Sequence, residues 1–339
     1  MKNEKPKIKK VILSFDYELF FGFRSGTIVN TLIKPTNLLL NELEKANLRG
    51  NFFIDYTMFK AYENLNDSES KDDLNLLKNQ VKDIIKRGHR IELHLHPHWI
   101  DAIYNGDGTW NFSNFEHYSL SSLPEDKIVD LFIEGTNYLT NLANEVNKNY
   151  KICAFRAGGW AVQPFASLKK AFSLANIKID SSASFGIFQK TKYSFFDFSN
   201  MPNKCLYHFD DDVCCENSNG LFIEIPITSF HRGLFYVIVD KIFSLFLNYN
   251  KYIFSDGTHN RIKDESPQKK KFWLKFKSNH KLMYSFCSFS KYTTLANIRN
   301  HKNEFCCFID HPKDLSKATI EGIRSLKGIT KSIFYSDLL

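Results

Sequence analysis

Short apolar runs alternate with amphipathic stretches along most of the chain. The apolar runs are rich in β-branched and aromatic residues, a composition that favours buried strands. The segment SIFYS at 332–336 is a further candidate for a last strand. The seven predicted strands cover residues 10–15, 50–56, 90–96, 151–155, 177–180, 221–226 and 304–310.

Stretches with apolar residues at helical spacing separate most of these runs. Pro35 suits the first turn of one predicted helix, and Gly88 ends another. The segment 233–249 is unusually apolar, and we interpret it as a buried or interfacial amphipathic helix. The other predicted helices cover residues 35–48, 71–87, 124–146 and 316–326.

The serial order of strand and helix predicts a parallel sheet with its helices outside. Seven or eight such units favour closure, so the predicted fold class is α/β, a distorted (β/α)7-8 barrel. We expect residues 1–339 to form a single domain. The polar and basic stretch 256–281 is predicted to be an insertion loop on that domain.

The charge pattern narrows the choice of partners. The chain has 339 residues and a net charge of +8, and much of the basic excess lies near residues 2–10 and 269–277. Such a charge indicates solubility and a mild attraction to polyanions. Nucleic acid is not an expected partner, because no nucleic-acid-binding module is present. Phe272, Trp273 and Phe276 lie among the lysines, which allows a peripheral contact with membrane or with an acidic polymer.

The apolar runs and the cysteines bear on the cellular location of the protein. The first apolar run is short and ends at Asp16, so no secretory signal is expected. Asp240 and Lys241 interrupt the best candidate for a transmembrane helix. The seven cysteines are odd in number and irregularly spaced, which favours a reduced, cytoplasmic protein.

Charged side chains follow five of the predicted strands at the point where each strand ends. In a barrel of parallel strands these ends meet on one face, where catalytic residues gather. We therefore expect these side chains to form one site. They are Asp16 and Glu18, the histidines of HLHPH, Arg156, Asp180, and Asp310 with His311.

The histidines of HLHPH predict a metal site. Two imidazoles and one carboxylate, with a position left open for water, suit a divalent ion such as zinc. His94 and His98 can converge across a bend at Pro97, with Glu18 or Asp16 as the oxygen ligand. His94 and His96 can also converge, because residues two apart share one face of a strand.

Six segments in order resemble the polysaccharide deacetylases, that is, carbohydrate esterase family four or the NodB-homology fold. The resemblance covers about residues 10–335. The spaced pair of acids and the segment FRAGGW are most similar to the branch found with bacterial surface-polysaccharide genes. The six segments are SFDYE, GNFFI, GHRIELHLHPH, FRAGGW, IDSS and DHP.

The resemblance implies a role for each matched residue. Asp16 would be the general base, and Glu18, His94 and His98 would bind one divalent metal ion, with zinc favoured. Arg156 would orient Asp16, and Asp180 would hold Arg156 in turn. His311 would be the general acid. The expected substrate contacts are His96, Trp99, Gly159 and Trp160, of which the two tryptophans could instead serve core packing.

These roles predict a metal-dependent hydrolase that removes an N-acetyl group from a sugar or glycan. The expected substrate is an acetylated saccharide, either nucleotide-linked or lipid-linked. An amidohydrolase or O-acetyl esterase on the same fold is the first alternative. A carbohydrate-binding protein without activity is the second. The oligomeric state does not follow from the sequence.

Overall fold

The computed structural model describes residues 8–259, 262 and 281–339. The described chain contains fifteen strands, of which nine form the main sheet. The strands are β1 Lys9–Tyr17, β2 Asn51–Asp55, β3 Arg90–Leu95, β4 Ile103–Tyr104, β5 Trp110–Asn111, β6 Ala154–Ala157, β7 Ile179–Asp180, β8 Phe188–Lys190, β9 Phe195–Asp197, β10 Tyr207–Phe209, β11 Phe222–Glu224, β12 Ser229–His231, β13 Lys281–Met283, β14 Phe305–Asp310 and β15 Thr330–Ser332.

Eight α-helices are described, and half of them come next after a strand of the main sheet. They are α1 Lys34–Lys45, α2 Tyr56–Glu63, α3 Ser68–Lys86, α4 Glu125–Asn144, α5 Lys169–Leu174, α6 Leu234–Leu247, α7 Lys291–Asn300 and α8 Lys317–Ser325. A π-helix at Val29–Ile33 precedes α1, and 3-10 turns occur at the ends of several strands.

The main sheet is parallel except at one edge. Its order is β10-β11-β7-β6-β3-β2-β1-β14, and β15 also pairs with β1. Within the described main sheet, only the pair β10 and β11 is antiparallel. Because neighbouring strands are parallel, their carboxyl ends lie together at one end of the sheet.

Hydrogen bonds beyond the ladder bring the two ends of the sheet together. The chain leaving β11 reaches β14, where Thr228 N donates to Cys307 O at 3.0 Å. Tyr284 N donates to Thr228 O at 2.8 Å, and Ile309 N donates to Tyr284 O at 2.9 Å. The sheet is therefore curled, and the prediction of a distorted (β/α) barrel is confirmed.

Two segments differ from their predicted form. The last strand is Thr330–Ser332 rather than 332–336, and Tyr335–Leu338 forms a 3-10 turn. Helix α6 forms where a buried or interfacial helix was expected, and because it is largely exposed it is not the buried form. No helix among the described residues is long and apolar enough to cross a membrane. Most of the predicted insertion loop 256–281 lies outside the described residues.

Aromatic side chains pack between the sheet and its outer helices. Phe132 of α4 is fully buried, and its ring centroid lies 4.6 Å from that of Phe155 on β6. Phe172 of α5 completes the cluster, 5.4 Å from both rings. This cluster holds α4 and α5 against β6, which ends in the candidate site.

We expect Phe132→Ala to lower the free energy of unfolding by about 3–5 kcal/mol, because it leaves a cavity that the neighbouring rings cannot fill. Phe195→Ala is the matched control, since Phe195 is 52% exposed and should cost less than about 1 kcal/mol. Urea unfolding of both variants measures the difference. Equal losses would show that the cluster does not stabilise the barrel.

Candidate metal and acid–base site

Seven of the predicted site residues line one cavity of about 400 Å³ at the carboxyl ends of the strands. β1 supplies Asp16 and leads into Glu18, while β3 supplies His94 and leads into His96. His311 directly follows β14. The cavity is lined by Asp16, Glu18, Phe21, His94, His96, Tyr118, Gly159, Trp160, Gln189, Thr191, His259, Ile262, His311, Lys313 and Asp314.

Glu18, His94 and His96 form a compact group of metal-ligand type. All three are buried, and one ligand atom from each lies within 4.8 Å of the others. The Nε2 atoms of His94 and His96 lie 2.8 and 2.5 Å from the same carboxylate oxygen, Glu18 Oε2. Two imidazoles and one carboxylate that converge in this way are the donor set that suits zinc.

The backbone fixes the orientation of the His94 ring. Its Nδ1 lies 2.6 Å from the carbonyl oxygen of Arg156 on β6 and donates to it, which leaves Nε2 toward the cavity. Burial lowers the pKa of His94, but the negative charges of Asp16 and Glu18 outweigh burial and raise the pKa to about 9. The ring therefore lies in a strongly negative environment, which favours a cation at its Nε2.

The His96 ring packs directly against a glycine of the next strand end. A Cβ atom on Gly158 would lie 2.5 Å from His96 Nδ1, so only glycine allows this ring position. The backbone N–H of His96 donates to Thr57 Oγ1 at 3.0 Å. The first glycine of FRAGGW thus makes room for an imidazole that is distant in the sequence, a contact that no local sequence pattern indicates.

His98 is not one of the three converging residues, although its ring centroid lies 4.9 Å from that of His96. After Pro97 the chain turns into a 3-10 helix, and His98 is fully buried against Tyr118, Phe112 and Phe21 rather than on the cavity wall. Among the described residues neither of its ring nitrogens has a hydrogen-bond partner. Burial, with the nearby charge of His96, holds the pKa of His98 well below its usual value. The structure thus groups the alternative pair, His94 and His96, with Glu18.

Arg156 joins Asp16 to the interior of the barrel. The guanidinium is completely buried, and its Nη1 donates to Asp16 Oδ1 at 2.7 Å. Its other donors reach Ser14 Oγ at 2.9 Å, Ser181 O at 2.8 Å and Tyr335 OH at 3.1 Å. A buried arginine with every side satisfied in this way holds the carboxylate in one position.

Asp180 does not hold Arg156 by direct contact, contrary to the expectation. Its carboxylate accepts from the backbone N–H and the hydroxyl of Ser182 at 2.9 and 2.8 Å. Glu224 lies opposite in the register, and burial, followed by the charge of Asp180, raises the pKa of Glu224 well above its usual value. The residue that contacts the guanidinium of Arg156 is Ser181, one position after Asp180 in the chain.

His311 lies across the cavity mouth from the imidazole pair. Its Nε2 is 3.7 Å from Asp16 Oδ2 and 3.6 Å from Glu18 Oε1, and its Nδ1 is 3.3 Å from Asp314 Oδ2. Burial lowers the pKa of His311, but the hydrogen bond to Asp314 together with the negative charges of Asp314 and Glu18 outweighs burial, and the pKa is raised. Asp314 was not predicted from the sequence, although it lies three residues after His311 in DHPKD.

Lys313 is a second residue that the sequence did not reveal. Its ammonium is buried and donates to Glu18 Oε1 at 2.6 Å and to Leu19 O at 3.0 Å. The two oxygens of Glu18 are therefore divided between Lys313 and the imidazoles. Burial would raise the pKa of Glu18, but the positive charges of Lys313 and His96 hold it well below its usual value.

The two predicted tryptophans have different positions. Trp160 and Gly159 line the cavity, and both have a left-handed backbone conformation with φ near 60°. Trp99 lies behind the site, where its indole N–H donates to Asp55 Oδ2 at 2.7 Å and its ring packs on Phe112. Trp99 therefore serves the core, and the expectation that it contacts substrate is not supported by its position.

Comparisons with known proteins give structural matches only. No protein-family model and no curated protein matches the chain. A provisionally assigned polysaccharide deacetylase from Mycobacterium smegmatis is 13% identical, with a TM-score of 0.45 over 98% of this chain and 88% of that one. A polysaccharide deacetylase from Bacillus cereus is 11% identical, with a TM-score of 0.38 over 97% and 94% of the two chains.

A third match is the catalytic domain of a peptidoglycan N-acetylglucosamine deacetylase from Eubacterium rectale. It is 16% identical, with a TM-score of 0.24 over 46% of this chain and 47% of that one. These names belong to the family that the sequence motifs resemble. Likeness at these scores carries no argument by itself, so the function must be argued from the site.

We expect Gly158→Ala to weaken metal binding, because the added Cβ must displace the His96 ring by more than a few tenths of an ångström. Titration with Co²⁺, followed by absorbance, should show at least about a ten-fold loss of affinity, as for other changes in groups that position a ligand. Gly233→Ala is the matched control, since its Cβ would meet only Tyr236, at 3.9 Å. Unchanged Co²⁺ affinity in Gly158→Ala would show that His96 is not a ligand.

Proposed function

We propose that the chain is a member of the polysaccharide deacetylase family and a metal-dependent hydrolase that removes an N-acetyl group from a sugar. One observation carries the proposal: the buried group of Glu18, His94 and His96 shares its cavity with an acid, Asp16, and a further histidine, His311. Metal ligands, a candidate base and a candidate acid thus face the same space.

The residues fit a divalent metal, with zinc as the first choice. His94 Nε2, His96 Nε2 and Glu18 Oε2 would hold the ion, while Lys313 keeps Glu18 Oε1 occupied and so favours binding through one oxygen. When bound, such an ion polarises an amide carbonyl and lowers the pKa of water to about 7.

Asp16 is proposed as the general base. Its Oδ1 is held by Arg156, which leaves Oδ2 on the side of His311 and the cavity. A carboxylate oxygen in this position can accept a proton from the attacking water. Arg156 does not reach the reacting atoms in this arrangement, and its role is to position the base.

His311 is proposed as the general acid. The nitrogen of an amide leaves as an amine only if it receives a proton, and an imidazolium can supply it. Asp314 bonds to Nδ1, which leaves Nε2 directed at Asp16 and Glu18. The raised pKa of His311 supports the protonated form that this step requires.

The cavity wall supports a saccharide as the substrate. Gln189 and Thr191 bring polar side chains to the cavity wall, and Trp160 brings an aromatic ring. Sugars are recognised by such a mixture of hydrogen-bonding groups and aromatic rings. The backbone N–H groups of the Gly158–Trp160 turn are the proposed donors to the developing oxyanion.

An O-acetyl ester is the alternative substrate on the same site. An alkoxide leaves more easily than the anion of an amine, so an ester with an activated leaving group would depend less on protonation by His311. The proposed substrate remains the N-acetyl sugar, because the pairing of His311 with Asp314 provides for protonation of a poor leaving group.

The direct test is acetate release from N-acetylated oligosaccharides by the metal-loaded chain. We expect Asp16→Asn to reduce kcat by about 10²–10⁴, the usual contribution of a general base, while the metal content stays at that of the wild type. Asp211→Asn is the control, because the Asp211 side chain is 72% exposed and lies outside the cavity.

Two results would contradict the proposal. Release of acetate at the wild-type rate by Asp16→Asn would remove Asp16 from the mechanism. Failure of the metal-loaded wild type to release acetate from any N-acetylated or O-acetylated saccharide would favour a carbohydrate-binding protein without activity.

We expect Asp314→Asn to shift the alkaline limb of the pH–rate profile to lower pH. The hydrogen bond to Asp314 raises the pKa of His311, and a general acid loses activity as the pH rises through its pKa. Without Asp314 that pKa falls, so activity is lost at lower pH. Histidine NMR titration gives the pKa independently, and an unmoved alkaline limb would assign it to another group.

A further inference from the structure

Helix α6 presents its apolar side chains to solvent and its one acidic side chain to the protein. Of its fourteen residues only Asp240 is buried. The exposed fraction of seven apolar side chains lies between 48% and 78%. These seven, which we call the α6 face, are Leu234, Phe235, Ile238, Ile242, Leu245, Phe246 and Leu247.

Polar contacts hold the helix in this orientation. Asp240 Oδ1 accepts from Ser290 N at 2.8 Å and from Thr293 Oγ1 at 2.7 Å, and its Oδ2 accepts from Arg232 Nη1 at 3.0 Å. Rotation of the helix to bury its apolar side would break these bonds and leave a buried carboxylate unpaired, which is costly. The outward direction of the α6 face is therefore built into the fold.

The apolar surface continues beyond the helix. A groove of about 500 Å³ between α6 and α7 is lined by Phe235, Phe243, Tyr292 and Leu295 among others. The segment 252–254, which follows α6, adds three more side chains that are 36–41% exposed. Soluble proteins rarely expose contiguous apolar surface of this extent unless it binds something.

The charges around the α6 face are positive. Lys241, Lys251 and Arg299 are exposed, and the described residues give none of the three an acidic partner. From residue 232 to residue 254 the only acid is Asp240, which is buried and paired with Arg232. Residues 232–254 thus combine exposed apolar side chains with cations and contain no exposed carboxylate.

We propose that the α6 face is a peripheral membrane-binding surface that lies on an anionic lipid bilayer. Its apolar side chains would enter the boundary between headgroups and acyl chains, and the lysines and arginine would contact lipid phosphates. The charge favours lipid over a second copy of the chain, since two copies would bring like charges together. The helix is too short to span, so it lies along the surface.

Vesicle co-flotation of the full chain tests this proposal and needs no catalytic activity. We expect binding to vesicles of phosphatidylcholine mixed with phosphatidylglycerol, and weaker binding to phosphatidylcholine alone. The double variant Leu245→Ser/Phe246→Ser should bind the anionic vesicles at least about ten-fold more weakly, because two anchors leave the interface.

The matched control is Phe195→Ser/Leu221→Ser, which also replaces one phenylalanine and one leucine that are more than half exposed. It should bind like the wild type, and thermal unfolding checks that both doubles are folded. Equal loss in both doubles, or no binding of the wild type to anionic vesicles, would overturn the proposal. A wild-type dimer in light scattering that Leu245→Ser/Phe246→Ser abolishes, without vesicle binding, would assign the α6 face to a second copy instead.

Discussion

The buried ion pair of Arg156 and Asp16 is the interaction on which the site depends. The guanidinium lies inside the barrel, 4.2 Å from the centre of the Phe53 ring, and its donors reach β1, the segment after β7 and the turn at Tyr335. A buried charge of this kind is tolerated only if it is paired and fully hydrogen-bonded. The same contacts that satisfy Arg156 therefore fix Asp16, and the carbonyl of Arg156 orients His94.

Glu18 is also held in place, because its two oxygens contact different partners. Lys313 holds one oxygen, and the two imidazoles lie against the other. The ammonium balances part of the negative charge that Asp16 and Glu18 would otherwise concentrate in a buried space. A divalent ion placed beside it must be held by the imidazoles and a single carboxylate oxygen, which suits a small ion with few ligands.

The expectation that charged side chains at the carboxyl ends of parallel strands form one site predicted many of the residues that line the cavity. Where it failed, the causes are local. Asp16, Glu18, His94 and His311 were predicted because the carboxyl ends of parallel strands meet. The choice between His96 and His98 depended on where β3 ends, and Pro97 begins a 3-10 turn that carries His98 behind the cavity. Lys313 was not predicted because a buried lysine opposes the usual pattern, and the pattern of 233–249 predicted the helix α6 but left open whether its apolar side is buried or interfacial.

The most direct test of the account is the position of the bound metal. Crystals of the chain grown with Co²⁺ or Zn²⁺ should give one anomalous scattering peak bounded by His94 Nε2, His96 Nε2 and Glu18 Oε2, with Lys313 still bonded to the other oxygen of Glu18. A peak between His94 and His98, or no peak at full metal saturation, would contradict the account.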